Sequence, residues 1–224
     1  MTESRGTLQR LLALLQLASP GLPVGGFAYS QGLEMAIEGG AVNDAATARR
    51  WIEDLLTLSL ARFEAPLWLR AWDTWKAGDR AAFAHWNEEC IAARETAELR
   101  AETMQMGASL VRVMPALGVA PPTCPRIAFP TAFAAACATL DIDRETGLAA
   151  YLWAWAENQV LVAVKSVPLG QMAGQTLLAG LHDALDRAVR SAVACDDEAL
   201  GSASLHHAIT SARHEAMYSR LYRS

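Results

Sequence analysis

The sequence predicts an all-α fold, a globular multi-helix bundle around a buried central helix, in a single domain that spans residues 1–224. Apolar residues recur along much of the chain at the i, i+3, i+4, i+7 spacing of a helix face. No run of about 4–8 residues has the alternation and β-branched content of a strand. Hydrophobic residues make up 52% of the chain and charged residues 19%, which favours more than one buried face. Because no repeat of fixed period is present, a bundle is favoured over a solenoid.

The N-terminal part predicts two helices separated by a loop. The first helix is indicated by four leucines on one face: Leu8, Leu11, Leu12 and Leu15. It ends before Pro20. Residues 20–27 contain five prolines and glycines, which predict a loop. Residues 29–38 return to a helical pattern that stops at Gly39.

The next helices are marked by residues that start or stop a helix. Asp44 has the chemistry of an N-cap for a helix that runs to Leu60, and Pro66 kinks or restarts that helix. The restarted helix ends near Gly78, and Asp79 begins another. Three tryptophans on one face of the restarted helix are interpreted as core residues: Trp68, Trp72 and Trp75.

The central helix is predicted in the second half of the chain. Residues 94–117 are expected to form a helix whose solvated side carries Glu95, Glu98, Arg100 and Glu102. Residues 118–130 contain four prolines and predict a turn inside the domain. Residues 144–164 are apolar nearly all round, which predicts a helix buried on all sides. This helix ends before Pro168, because a proline disfavours helical geometry in the preceding residue.

Two helices complete the predicted bundle. One runs to about Ala194, and residues 196–198 then form an acidic turn. The last helix is expected to reach the C-terminus, with apolar side chains along one side: Leu205, Ile209, Ala212, Ala216, Met217 and Leu221.

Composition and charge exclude several classes of protein. A formal net charge of −5 does not suit a protein that binds nucleic acid through excess positive charge. The longest uncharged apolar run, residues 127–140, is well short of the roughly 20 residues that cross a bilayer. The first apolar stretch is broken by Gln9 and Arg10, and no signal peptide is recognised. We therefore expect a cytoplasmic protein that binds neither nucleic acid nor a membrane.

The sequence contains no complete catalytic or metal-binding motif. The glycine-rich residues 21–26 lack the lysine and Ser/Thr of a phosphate-binding loop. Residues 28–32 differ by one residue from a nucleophile elbow but do not follow a strand. His207 and His214 lie about 10 Å apart along a helix axis, too far to bind one metal ion at about 2 Å. An interaction protein is favoured over an enzyme, and no catalytic or metal site is predicted.

Three segments of the chain resemble the urease accessory protein UreF family. They are residues 14–34 (LLQLASPGLPVGGFAYSQGLE), residues 165–171 (KSVPLGQ) and residues 211–222 (SARHEAMYSRLY). They occur in the order found in the family and in a chain of similar length. The resemblance therefore covers essentially the whole chain.

The resemblance implies an all-helical, usually dimeric and non-catalytic chaperone of nickel-urease maturation. Such a protein bridges a UreD(UreH)-like scaffold and a UreG-like GTPase, and the assembly loads nickel into apo-urease. No cofactor of its own is implied, because nickel passes through the assembly and GTP is bound by the partner GTPase. Two alternatives are a helical protein that binds a small ligand and a GTPase-activating regulator that supplies an arginine in trans. Arg220 and Arg126 are chemically able to act in that way.

The same three segments provide the candidate partner-binding residues. The first segment contributes Phe27, Tyr29, Ser30, Gln31 and Glu34. The second contributes Lys165, Ser166, Pro168, Leu169, Gly170 and Gln171. The third contributes Met217, Tyr218, Arg220, Leu221 and Tyr222.

Each of these groups has an expected role and an alternative. The first segment is expected to expose Phe27 and Tyr29 to a partner, unless Phe27 packs beneath the loop. Lys165 is expected to orient an acidic surface of the GTPase, or else only to cap its helix. The third segment is expected to present an amphipathic helix to the scaffold, or else to dock on the core of its own chain.

Overall fold

The computed structural model describes residues 6–201 and 204–224, and within these ranges the chain is α-helical with no β-strand. The described residues form eleven α-helices: α1 Thr7–Leu17, α2 Leu33–Glu38, α3 Ala45–Leu58, α4 Glu64–Ala77, α5 Arg80–Ala92, α6 Ala97–Val113, α7 Phe129–Thr139, α8 Arg144–Ser166, α9 Gln171–Gly180, α10 His182–Val193 and α11 Leu205–His214. The all-α prediction is confirmed. Over the same ranges, no helix combines the length and apolar character needed to cross a membrane.

Helix α8 lies at the centre of the bundle, as its sequence predicts. It begins where the Asp143 carboxylate accepts a hydrogen bond from the Thr146 amide at 2.9 Å, and it ends two residues before Pro168. Helices α1 to α4, α7, α9 and α10 all pack against it. An apolar helix surrounded in this way takes part in many of the interfaces of the core.

Helix α7 is enclosed even more completely. Every residue from 130 to 138 is buried, and the many alanines allow the backbones of α4 and α6 to approach closely. Where α8 passes nearby, a Cβ atom on Gly147 would lie 2.8 Å from the Trp68 ring and 3.2 Å from the Cys137 Sγ atom. Since such a close-packed core leaves no room for a methyl group, Gly147 is required at this crossing.

The capping residues read from the sequence begin the expected helices. The Asp44 carboxylate accepts from the Thr47 amide at 2.8 Å at the start of α3, and Asp79 accepts from Ala82 at 2.9 Å at the start of α5. Gly78 ends α4 in the left-handed conformation. Because these signals act within one helical turn, they can be recognised without knowledge of the tertiary structure.

Three predicted helices differ from the observed ones. The helix predicted over residues 29–38 begins only at Leu33, because Gln31 has a left-handed backbone with a φ of 52°. The helix predicted to reach Ala194 is divided into α9 and α10 next to Gly180, a residue with poor helix propensity. The helix predicted over residues 94–117 is α-helical only as α6, and Pro115 lies in the short 3₁₀ helix that follows.

The prediction that the last helix reaches the C-terminus is wrong. Helix α11 ends at His214, and residues 215–224 form a non-helical segment that we call the C-terminal tail. Leu205 and Ile209, on the apolar side of the helix, are exposed. The side that packs inwards carries polar residues: His207, Thr210, Ser211 and His214. His207 Nε2, the Ser211 hydroxyl and both ring nitrogens of His214 find partners on distant elements, whereas the Thr210 hydroxyl donates to the His206 carbonyl of its own helix. These bonds offset much of the cost of burying the polar groups.

Helix α1 also presents its leucines differently from the sequence prediction. The four leucines of the predicted face are 50–66% exposed, whereas Leu14 and Leu17 are buried. The pattern identifies the helix correctly, but several faces of α1 carry leucine. Which of these faces packs inwards is decided by the contact between α1 and α8.

Candidate partner-binding site

The three segments that carry the family resemblance meet at one end of the bundle. Residues 20–32, which we call the N-terminal loop, pair with the C-terminal tail through two backbone hydrogen bonds. The Arg223 amide donates to the Ala28 carbonyl and the Ser30 amide donates to the Ser224 carbonyl, both at 2.9 Å. The Tyr222 side chain lies close to Ser166 at the end of α8. Residues that are nearly 200 positions apart in the chain thus share one surface.

The buried carboxylate of Glu34, on α2, holds the C-terminal tail. One of its oxygens accepts from the Leu221 amide at 2.7 Å, and the other accepts from the Tyr222 amide at 3.0 Å. The second oxygen also lies 3.1 Å from Nε2 of His214. Charge-assisted hydrogen bonds of this kind are stronger than neutral ones. The tail is therefore fixed although it is not helical.

His214 is fully buried between two carboxylates. Its Nε2 faces Glu34, and its Nδ1 lies 2.7 Å from an oxygen of Glu98 on α6. Arg220 of the tail forms an ion pair with the other oxygen of Glu98. Because both ring nitrogens face acceptors, the imidazolium form satisfies both contacts at once. This chain of groups joins α2, α6, α11 and the tail.

A second polar cluster surrounds Glu102, one turn further along α6. The Gln31 side-chain amide donates to this carboxylate at 2.6 Å, and the Ser224 hydroxyl donates at 2.5 Å. Gln31 also accepts from the Trp155 indole at 2.7 Å and, through its carbonyl, from His207 at 3.0 Å. Burial raises the pKa of Glu102 to about 7, although the hydrogen bonds from Ser224 and Gln31 act in the opposite direction.

The structure separates the candidate partner-binding residues into exposed and buried groups. The exposed residues are Phe27, Lys165, Pro168, Gly170, Gln171, Tyr218, Arg220 and Leu221. The half-buried residues are Gln31, Ser166, Leu169 and Met217. The buried residues are Tyr29, Ser30, Glu34 and Tyr222. The expectation that the first segment exposes Tyr29 is wrong, because its ring packs inwards and its hydroxyl donates to Gln105 at 2.8 Å.

Phe27 and the tail also differ from the expected arrangement. Phe27 is 71% exposed, so it does not pack beneath the loop. The expected amphipathic helix at the C-terminus is absent from the tail, and Tyr218 and Tyr222 do not share a face, since one is exposed and the other buried. The tail instead docks on its own chain while leaving Tyr218 and Leu221 in solvent.

An open groove of about 580 Å³ lies between the N-terminal loop and α6. Two arginines, Arg112 and Arg223, lie along it together with Phe27, and none of the described residues that line it carries a carboxylate. Among the described residues, the two guanidinium groups contact neutral side chains: Arg112 contacts Ser109, and Arg223 contacts Gln105 and Tyr29. The groove is therefore locally positive in a chain of net negative charge, which is the arrangement that favours an acidic partner.

Sequence reasoning missed the residues on the inner side of this site. Glu98, Glu102 and Gln105 are spaced i, i+4, i+7 on α6, and the first two of them were expected on a solvated side. The structure turns this polar stripe towards the tail and the loop. A polar stripe on a helix has the same spacing whether it faces water or buried donors, so only knowledge of the facing segments could have distinguished the two.

Comparison with known proteins identifies the family. The sequence model of the UreF family matches residues 42–182. The chain belongs to the UreF family. One relative, named urease accessory protein UreF, comes from Delftia acidovorans and is 51% identical, with 97% of this chain and 98% of the relative aligned. Another of the same name, from Cupriavidus necator, is 50% identical, with 97% of this chain and 99% of the relative aligned. A third, from an Azoarcus species, is 51% identical over 100% of this chain and 99% of its own length.

The extent of these matches places the candidate site within the family. The matched residues 42–182 contain Lys165 and most of the core helices, but not the N-terminal loop or the C-terminal tail. The Azoarcus relative aligns with the whole chain and so extends through both of these segments. The end of the bundle where the three segments meet is thus included in the alignment with a UreF-family protein.

Replacing Glu34 with alanine is expected to release the tail. Two backbone amides and His214 would lose their acceptor, which costs about 2–4 kcal/mol of unfolding free energy. Denaturant unfolding measures that cost, and hydrogen exchange at the Leu221 and Tyr222 amides measures the release. Glu38→Ala, an exposed change on the same helix, is the matched control. Unchanged exchange at both tail amides in Glu34→Ala would contradict the role assigned to Glu34.

Stability is expected to depend on pH through Glu102. Because its pKa is higher in the folded protein than the ordinary value of 4.5, the folded state loses stability as pH rises from about 4.5 to about 7. Glu102→Gln should match the wild type near pH 5 and exceed it near pH 8 by about 3 kcal/mol. Denaturant unfolding at the two pH values tests this, with the exposed Glu89→Gln as control. An equal difference at both values would show that Glu102 does not carry this pH dependence.

Proposed function

We propose that this chain is a urease accessory protein, a non-catalytic adaptor that bridges a UreD(UreH)-like scaffold and a UreG-like GTPase during maturation of the urease metallocentre. The observation that carries the proposal is the set of relatives named urease accessory protein UreF, about half identical along nearly the whole chain. In this proposal nickel is the cargo, apo-urease receives it, and GTP is bound by the GTPase. The chain works as a homodimer.

The exposed side chains of the tail support contact with the scaffold. Tyr218 and Leu221 point into solvent from a backbone that Glu34 and Glu98 hold in place. A large side chain fixed before binding loses little conformational entropy when a partner covers it. The tail is therefore preorganised to bind a complementary groove on the scaffold, without the amphipathic helix expected from the sequence.

Lys165 supports contact with the GTPase. It is exposed in the last turn of the rigid central helix, and within the described ranges it has no ion-pair partner. It is one of two lysines in the sequence, and the other, Lys76, pairs with Asp141. A cation fixed on a buried support and not neutralised by its own chain is suited to orient an acidic partner surface.

The alternative of a GTPase activator has less support from the contacts of its arginines. Arg220 pairs with Glu98, and Arg126 pairs with Glu88. To reach a transferred phosphate in a partner, either guanidinium would first have to leave a carboxylate of its own chain. A GTPase assay with and without this chain distinguishes the two functions, since an arginine supplied in trans accelerates hydrolysis about 10³–10⁵-fold.

Lys165→Ala is expected to weaken assembly with the GTPase at low ionic strength. The loss of one favourable charge pair corresponds to about 1 kcal/mol, or about fivefold in Kd. The difference should shrink as salt shortens the screening length to ~10 Å and below. Calorimetric titration at two salt concentrations measures both effects, with Lys76→Ala as the matched lysine control. Equal affinities of wild type and Lys165→Ala at both concentrations would refute this contact.

Leu221→Ser is expected to weaken binding of the scaffold without unfolding the protein. Its side chain is 81% exposed, so its removal costs the folded chain little, whereas a central interface residue contributes more than about 1 kcal/mol to binding. Co-purification and titration with the scaffold test binding, and thermal unfolding tests stability. The control is Leu205→Ser, a change at an exposed leucine at the start of α11 and away from the tail. Scaffold affinity that stays at the wild-type level would remove the tail from the proposed interface.

A further inference from the structure

A cavity of about 120 Å³ lies behind the N-terminal loop, and we call it the Glu102 cavity. It is bounded by the loop, α6, the start of α7 and α8. Apolar side chains form most of its wall: Leu17, Leu22, Leu99, Met106, Phe129 and Leu161. A cavity of about 150 Å³ is enough to hold benzene. The Glu102 cavity is somewhat smaller and opens to the surface, so it has room for a short apolar stem that is thinner than a benzene ring.

The carboxylate of Glu102, which lines this cavity, is not paired with a cation in the described part of the chain. Glu102 is only 4% exposed, and its hydrogen bonds come from neutral groups, the Gln31 amide and the Ser224 hydroxyl. Over the described ranges it takes part in no ion pair. A buried carboxylate without a cation is costly, and that cost is what raises its pKa to about 7. A cation brought into the cavity would offset it.

The other charges around Glu102 do not already supply that cation. Arg94 lies near enough to lower the pKa of Glu102, but its guanidinium is paired with Glu64, which also accepts from the Tyr151 hydroxyl at 2.5 Å. Glu157, on α8, adds a further carboxylate to the wall. The cavity thus contains three carboxyl groups against one guanidinium. Tyr29, whose pKa is raised by burial and by Glu102, stays neutral and adds no further anion.

The kind of cation is limited by what surrounds the carboxylate. In residues 6–201 and 204–224, no group of three or more His, Cys, Asp or Glu side chains could hold a metal ion. The apolar walls instead suit a hydrocarbon stem, as along a lysine side chain that buries its methylenes and carries its charge at the tip. An anion would be repelled by the excess of carboxylates.

We propose that the Glu102 cavity binds a primary alkylammonium group, with the ammonium on the Glu102 carboxylate and the alkyl stem between Met106, Phe129 and Leu161. The group is either a free aliphatic amine or the lysine side chain of a bound protein. Gln31 orients the carboxylate, and Trp155 orients Gln31 through its indole hydrogen bond. Since only the ionised carboxylate pairs with the ammonium, binding releases the proton of Glu102.

The test uses the isolated full-length chain and n-butylammonium chloride as the probe. The indole N–H of Trp155 reports occupancy by NMR, because it donates to Gln31 at the cavity. We expect a saturable shift of this resonance, and about tenfold tighter binding at pH 8 than at pH 6, as the ionised fraction of a carboxyl with a pKa of about 7 rises. 1-Butanol, a neutral molecule of similar size, should bind more weakly and without pH dependence.

Two variants and one peptide complete the experiment. Glu102→Gln should abolish the pH dependence and weaken binding of the probe at pH 8 to the level of 1-butanol, whereas Glu89→Gln on the exposed face of α5 should behave as the wild type. Binding of a blocked Ala-Lys-Ala peptide as well as the amine would assign the cavity to a lysine side chain, and binding of the amine alone to a free ligand. Absence of a saturable Trp155 shift, or a pH dependence that Glu102→Gln retains, would overturn the proposal.

Discussion

The carboxylate of Glu34 is the acceptor around which the end of the bundle is organised. It lies on a short helix of six residues and is almost fully removed from water. A buried carboxylate requires several donors, and the nearest ones are the backbone amides of Leu221 and Tyr222 together with His214. The need to satisfy this one group brings residues from opposite ends of the chain together. The position of the tail, and hence of every exposed side chain on it, follows from that requirement.

This arrangement connects the two proposed partner surfaces. Tyr222 is a buried residue of the tail, and its side chain lies close to Ser166. Ser166 follows directly after Lys165 at the end of α8. The proposed scaffold contact at Leu221 is therefore one residue away from a side chain that touches the turn proposed to contact the GTPase. A packed connection of this length is the kind that can transmit a small displacement between sites. In an adaptor that joins two partners, such a connection links the surface proposed for one partner to the surface proposed for the other.

Much of the fold could be predicted from the sequence because its signals are local. Asp44 and Asp79 cap their helices within one turn, Gly78 stops a helix by its own backbone freedom, and the apolar character of residues 144–164 predicts the central helix, although Leu161 on it is 43% exposed. The family resemblance identified which segments belong to the site. The local pattern could not predict burial of Glu34, since a carboxylate at the start of a helix is equally consistent with exposure.

The sequence by itself determined most of the helices and the central position of α8, because helical periodicity and caps act over a few residues, and its three motifs indicated the family. Only the tertiary structure decided which faces are covered. The polar side of α11 packs inwards and the four leucines of α1 face solvent, in both cases against the direction that hydrophobicity predicts. The physical reason is that the donors and acceptors of the buried polar groups lie far away in the chain: Glu34 is 187 residues from Leu221, and Ser30 is 194 residues from Ser224. Such pairings exist only once the chain has folded.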